Sequence, residues 1–242
     1  MIEIAENTSK NTHHVVETLL VDEKGKKSVL DIPSGEGAFT QRLLLRGYDV
    51  YSADIENILK IENKNFSQAD MNKPLPYPDG HFDAVVCIDG IEHLENPFLF
   101  VRESARVLSS KGILIISTPN ISAMRSRWRW LFTGHHNKCK VPLNEGRPSP
   151  LHHINMFSYP RLRYVLQTSG FEITSIRTNR IKPISWVYIL LYPFAYLFTS
   201  LVYSKEEKDP KQRVINKTIL KDLLGKNIYF GETLIIKARK KQ

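Results

Sequence analysis

The chain has 242 residues, 42% of them hydrophobic, and a formal net charge of +9. That length suffices for one three-layer α/β core without a second enzyme domain. The two cysteines, Cys87 in an apolar run and Cys139 in a basic loop, exclude a disulfide framework. Residues 1–11 are polar and show no secretory leader pattern, so the expected placement is cytoplasmic.

In chain order, a helix is expected around 12–21. Strands follow near 28–32, 48–53, 65–68, 83–88 and 112–118, alternating with helical patterns, which makes a doubly wound α/β sheet. The first strand ends on Asp31 and opens into a turn holding Pro33, Ser34, Gly35 and Gly37, ahead of a helix over 38–45. Small residues there let a ligand approach the backbone, and the helix N-terminus faces it. Thr40 stands where a dinucleotide fingerprint needs its third glycine. Asp31 is ill placed for a pyrophosphate but suits a ligand bearing an ammonium or sulfonium charge. The second strand ends at Asp54, where a carboxylate can take both hydroxyls of a ribose. A third acid, Asp70, follows the third strand with Met71 beside it. The continuous apolar run 82–88 ends at Asp89, as buried parallel strands do. Asn96 and Pro97 start a helix whose apolar spacing continues over 98–108, and Lys111-Gly112 ends it.

The segments L-D-I-P-S-G-E-G (30–37), A-D-I (53–55), A-D-M (69–71), F-D-A-V-V-C-I-D-G-I-E-H-L (82–94), R-V-L-S-S-K-G-I-L-I-I-S-T-P-N (106–120) and F-S-Y-P-R-L-R-Y-V-L-Q-T-S-G-F (157–171) carry a resemblance. Together they resemble the class I S-adenosylmethionine-dependent methyltransferases, in particular the small-molecule group that includes the ubiquinone-biosynthesis O-methyltransferases. The likeness covers residues 28–178. It implies a Rossmann-like seven-stranded sheet with the last strand antiparallel, and S-adenosylmethionine as cofactor. By the same likeness Asp31, Gly35 and Gly37 line the methionine moiety, with Pro33 and Ser34 in the same turn. Asp54 and Ile55 take the ribose, Asp70 and the Met71 backbone the adenine, and Cys87, Ile88 and Asp89 the amino-acid end. Pro33 departs from the family, which more often has a small residue or glycine there.

Methyl transfer from a sulfonium is an in-line displacement, so the protein has to align the acceptor, exclude water and, for an oxygen acceptor, take its proton. His152 and His153 precede Phe157 where related sequences often carry a histidine over the acceptor pocket; they are the candidate general bases. The bland alternative is a surface pair, since His13-His14 and His135-His136 also occur. The stretch 119–157 is long enough to be a lid. Asp89, Glu92 and His93 share a face if a helical turn begins there, and a similar acid-x-x-Glu-His sequence holds a divalent cation in ubiquinone-pathway relatives. The same spacing is a capping box, and no metal is assigned. His135, His136 and Cys139 lack a fourth ligand at zinc spacing. The basic and aromatic run 125–130 invites a nucleic-acid reading, but no binding module and no N-P-P-Y type motif accompanies it. An amphipathic lid helix with snorkelling arginines is simpler.

Residues 184–203 carry no charge, and a straight helix of that length reaches ~30 Å, the thickness of a hydrocarbon core. Spanning conflicts with the fold. The last two strands, expected at 171–177 and 227–238, flank the insertion 179–226 and must stay on one side of a bilayer. Pro193, the tyrosines and tryptophan along the run, and basic flanks (Arg177, Arg180, Lys182; Lys205, Lys208, Lys211, Arg213) suit a kinked interfacial or re-entrant element on anionic lipid. The alternative is a helical cap over the active site or a dimer interface. The sequence therefore reads as a methyltransferase acting, chiefly at oxygen, on a hydrophobic or lipid-linked small molecule or glycan at the inner face of a membrane. A non-catalytic cofactor-binding partner subunit and a nucleic-acid methyltransferase are the rival readings.

Overall fold

The computed structural model describes residues 4–23, 25, 27–139, 143–205 and 209–242. Seven strands form one sheet: β1 (Ser28–Asp31), β2 (Asp49–Asp54), β3 (Phe66–Gln68), β4 (Phe82–Ile88), β5 (Leu108–Pro119), β6 (Phe171–Arg177) and β7 (Thr233–Lys240). Their order is β3-β2-β1-β4-β5-β7-β6, and β7 runs antiparallel to both its neighbours while the first five strands pair in parallel. The central strands carry unbroken apolar runs, Ala84–Ile88 in β4 and Ile113–Ile116 in β5, because helices cover both faces. On one face α1 (Thr12–Val21) and α2 (Ala38–Leu45) bury Val16, Leu20, Phe39 and Leu43 against Val29, Val86 and Ile115. On the other, α3 (Pro97–Val107) and α5 (Tyr159–Thr168) bury Phe100, Val101, Leu162 and Val165. The Asn96 side chain caps α3, accepting from the Leu99 amide at 3.1 Å, with Pro97 in the first turn, where its missing N–H costs no bond.

Two boundaries differ from expectation. Lys111-Gly112 does not separate helix from strand: β5 already begins at Leu108, which pairs with Phe82, and Lys111 (φ 61°) is a kink within it. A side chain at Gly112 would lie 2.9 Å from the Ser109 carbonyl, so the kink admits only glycine after it. The last strand starts at Thr233 rather than 227, because residues Lys226–Tyr229 form a short helix, α8.

The excursion between β6 and β7 consists of a 3₁₀ stretch (Pro183–Leu191), α6 (Tyr192–Lys205), α7 (Pro210–Leu223) and α8. Pro193 lies in the first turn of α6, where the winding changes from 3₁₀ to α. Two clusters anchor the excursion: Ala195, Leu224, Tyr229 and Phe230 pack with Tyr192 and with Met124 of α4 (Met124–Thr133), while Leu223 and Ile228 join the main core. Trp186 packs on Phe230 with ring centroids 4.7 Å apart, and the Tyr229 hydroxyl donates to the Tyr188 carbonyl at 3.1 Å. The rest of the segment faces outward, with Leu190 74% and Phe198 63% exposed. Of the expected basic flanks, Lys208 and the Lys205 side chain lie outside the described residues.

Candidate active site

A cavity of about 340 Å³ opens at the C-terminal ends of β1, β2 and β4, the edge where open α/β sheets bind ligands. β1 delivers Asp31 to its floor, 1% exposed. The Asp31 Oδ2 accepts from the Thr40 hydroxyl at 2.6 Å, and no cation pairs with this carboxylate among the described residues. Burial pushes its pKa up to about 7; the Thr40 bond opposes this and the charge of Asp54 adds to it. After Asp31 the chain turns through Pro33, Ser34 and Gly35, all on the wall. The buried Ser34 hydroxyl has no hydrogen-bond partner among the described residues. Gly35 sits at φ 52°, with open space where a side chain would start.

Asp54, at the end of β2, is held by backbone amides: Oδ2 accepts from Gly35 at 2.8 Å and Oδ1 from Ile55 at 2.7 Å. Each oxygen retains a further lone pair for an incoming hydroxyl. Asp70 and Met71 form the next part of the wall, with Asp70 Oδ1 accepting from the Asn72 amide at 2.9 Å. Ile55 and Ile58 line it too, 47% and 50% exposed. Ile88 and Asp89 close the β4 side.

Two residues expected at the ligand are elsewhere. Gly37 (φ 91°) caps α2, where a Cβ would lie 3.0 Å from Leu59 and Ile61 side-chain atoms; it shapes the turn without lining the cavity. Cys87 is wholly buried in the core, and burial pushes its thiol pKa well up. Successive strand residues face opposite sides; Ile88 reaches the cavity and Cys87 does not.

Asp89 adopts φ 46°, in the left-handed region where aspartate is commoner than most non-glycine residues. Its amide donates to the Ser117 carbonyl at 3.1 Å, and its Oδ1 accepts from the Ser117 hydroxyl at 2.7 Å. The capping-box expectation fails here. Glu92 turns inward, wholly buried, and accepts from the Thr118 hydroxyl at 3.0 Å. Burial, reinforced by Asp89, raises its pKa well above the carboxylate range. Asp89 does not join a three-ligand set with Glu92 and His93. Glu92, His93 and His153 instead bring one possible ligand atom each within 4.8 Å of one another.

His93 lines the cavity, whereas beyond Pro150 and Leu151 the chain leaves it, and His152 and His153 are set back. The His93 Nδ1 lies 3.1 Å from the His152 carbonyl, and its ring meets that of His153 at 4.8 Å. Burial lowers the His93 pKa, against the His152 and Asp89 backbone carbonyls and the Asp89 charge, all of which raise it. A neutral ring that donates from Nδ1 to the His152 carbonyl keeps Nε2 as an acceptor.

Sequence reasoning missed the N-terminal segment. Residues 5–8 and His13 line the cavity, and Thr8 reaches Asp89. These are long-range contacts of a polar stretch with no local pattern to reveal them. Among the described residues of 119–157, only Pro150 and Leu151 reach the cavity. Helix α4 lies against the insertion, Trp128 meeting Tyr188 at 6.5 Å, and Arg127 is turned inward, where burial lowers its pKa. The run 125–130 therefore does not present a continuous basic face. Among the described residues of 179–226, none lines the cavity.

A family model described as a methyltransferase domain matches residues 4–176. A probable S-adenosylmethionine-dependent methyltransferase of Mycobacterium tuberculosis is 33% identical over 174 residues, covering 69% of this chain and 56% of that protein. A ubiquinone biosynthesis O-methyltransferase of Dechloromonas aromatica is 28% identical over 107 residues, 39% of this chain and 45% of that one. The chain thus spans about half the length of these curated relatives. The crystal structure of a SAM-dependent methyltransferase from Archaeoglobus fulgidus superposes with a TM-score of 0.57 at 20% identity, covering 95% of both chains, which shows the fold.

Proposed function

The chain belongs to the S-adenosylmethionine-dependent methyltransferases, and from that premise we propose that it methylates an oxygen of a hydrophobic or lipid-linked small molecule or glycan at the inner face of a membrane. S-adenosylmethionine supplies an electrophilic methyl group when bound, and the cavity fits it. Asp31 is a buried carboxylate with no cation of its own, Ser34 offers an unused hydroxyl, and Asp54 has acceptor capacity beside a glycine that leaves room. An ammonium at Asp31 would restore the charge that burial suppresses. His93 is the residue we assign to the proton of the acceptor hydroxyl, since it faces the cavity and is kept neutral by burial. The name of the Dechloromonas relative supports oxygen as the acceptor atom.

The membrane part rests on one observation. Residues Pro183–Ser204, with a hydropathy of 1.5, are long enough to cross a bilayer, yet only 6% of their apolar 18-residue window is buried. A single crossing would place its ends on opposite sides, whereas β6 and β7 pair directly and α6 packs back against α7. Both facts support an interfacial seat, apolar side down. The test is transfer of labelled methyl from S-adenosylmethionine to a membrane lipid extract, followed by phase partition. Label in the organic phase, stable to amine-directed cleavage, supports the reading; label confined to aqueous acceptors or nucleic acid sinks it.

A further inference from the structure

A second cavity, of about 210 Å³, lies between α4, the 137–138 loop, the start of the insertion and the 230–232 turn. Arg125, Arg129, Lys138 and Lys182 line it, against a single carboxylate, Glu232. Glu232 is engaged already, with Arg180 at 2.5 Å, Lys182 at 2.7 Å and Lys138 at 3.2 Å. Burial alone would raise its pKa, but the Arg180 and Lys182 bonds and the Lys138 charge outweigh it and hold it at about 2. It stays ionised, and a surplus of positive charge remains.

Arg125 and Arg129 are four apart on α4 and so share a face. Neither guanidinium has an ion-pair or side-chain hydrogen-bond partner among the described residues. Two unpaired guanidiniums with an asparagine, Asn137, in the same wall make a donor set for an oxyanion.

Position decides which anion. Lys182 and Ser185 stand at the root of the insertion, among exposed Ile184, Trp186 and Val187. On the opposite wall α4 continues past Arg129 into exposed Trp130, Leu131 and Phe132, and Trp128 joins it to Tyr188. An apolar surface that enters a leaflet brings its polar root to the level of the head groups. We propose that this cavity takes the phosphate of an anionic phospholipid in the leaflet that receives the insertion. The proposal rests on the membrane reading above.

Co-sedimentation of the full chain separates the two. The probes are phosphatidylcholine vesicles doped with phosphatidylglycerol, or with oleate to the same zeta potential. Wild-type protein should prefer phosphatidylglycerol. Arg125→Gln/Arg129→Gln should erase that preference and weaken binding about thirtyfold, two interfacial cations' worth. Lys27→Gln/Lys64→Gln, an equal loss of charge elsewhere, should retain the preference. Should the arginine variant melt early, Arg129→Gln alone, at an exposed position, should still shrink the preference. Equal binding to both vesicles, or equal loss in the control pair, would overturn the site. Tight binding of inorganic phosphate by titration calorimetry with no vesicle preference would reassign it to a soluble anion. Leu190→Ser/Phe194→Ser should lose every vesicle. Wild-type binding by that variant sinks the membrane reading itself, whereas its loss together with an indifferent arginine pair sinks only the phosphate site.

Discussion

The Thr8 hydroxyl donates to the Asp89 carboxylate at 2.5 Å, tying together residues 81 apart in sequence. Residues 5–8 are thereby a strap along the cavity, and further ties hold it: Lys138 Nζ donates to Ser9 Oγ and Asn179 Nδ2 to the Lys10 carbonyl, both at 3.0 Å. The strap forms part of the wall that a ligand in the cavity would meet. Thr8→Ala should raise the cofactor dissociation rate roughly five- to tenfold, the loss of one charge-assisted hydrogen bond. Stopped-flow displacement measures it; an unchanged rate means the strap does not gate entry.

Asp31 predicts a pH dependence. With its free-state pKa near 7, the empty site holds a proton on this carboxyl below neutrality, and a cationic ligand must displace it. Affinity for S-adenosylmethionine should therefore rise about tenfold from pH 6 to pH 8 and level off above. In the empty protein the sign is opposite: a raised carboxyl pKa stabilises the fold below the unfolded value of 3.8 and loses that contribution as pH climbs through 7. Asp31→Asn should bind weakly with a flat profile, and calorimetry across that range decides.

For His93, replacement by Ala should lower turnover by about 100-fold or more with cofactor affinity little changed. His152 touches His93 through its backbone carbonyl, so His152→Ala should keep turnover. Normal turnover in His93→Ala would return the role to His152 or His153. EDTA in the same assay asks whether Glu92, His93 and His153 work with a cation.

The outward face of the insertion predicts liposome binding that rises with anionic lipid and falls with salt. Replacing Trp186, Leu190, Phe194 and Leu197 with serine should abolish it, as each large apolar side chain moved from water contributes ~1.5–3 kcal/mol. Binding that survives the quadruple change would leave the apolar surface to a protein partner.

Gly90 predicts an effect on the cofactor turn from outside it. A Cβ there would stand 2.4 Å from Pro33 Cδ and 3.1 Å from Cys87 Sγ. Because Cys87 is locked in the core, Pro33 must give way. Gly90→Ala should cost ~1–3 kcal/mol of stability by overpacking and weaken S-adenosylhomocysteine binding; thermal shift with and without ligand separates the two losses.

The acids Asp31, Asp54 and Asp70 were legible in the sequence because each stands at or just past the C-terminal end of a parallel strand, the edge where such sheets bind ligands. Gly37 was legible as a needed glycine but not for its reason, which is room for Leu59 and Ile61. Cys87 and Ile88 looked equivalent because a strand buried on both faces has no alternation to separate them. Asn227 to Phe230 reads as strand by composition, and only the packing of Tyr229 and Phe230 under the insertion selects a helix there. The roles of Thr8 and His93 depend on contacts made across the fold, which no local spacing encodes.

The sheet order also sets a schedule. β7 lies between β5 and β6, yet it follows the insertion in the chain. During synthesis β6 emerges without a neighbour, and the apolar excursion is complete before the strand that seals the edge exists. Non-local pairing of this kind is slow, and an open edge invites foreign partners. Refolding in detergent-free buffer, where nothing shields that interval, is the condition under which this chain should aggregate most.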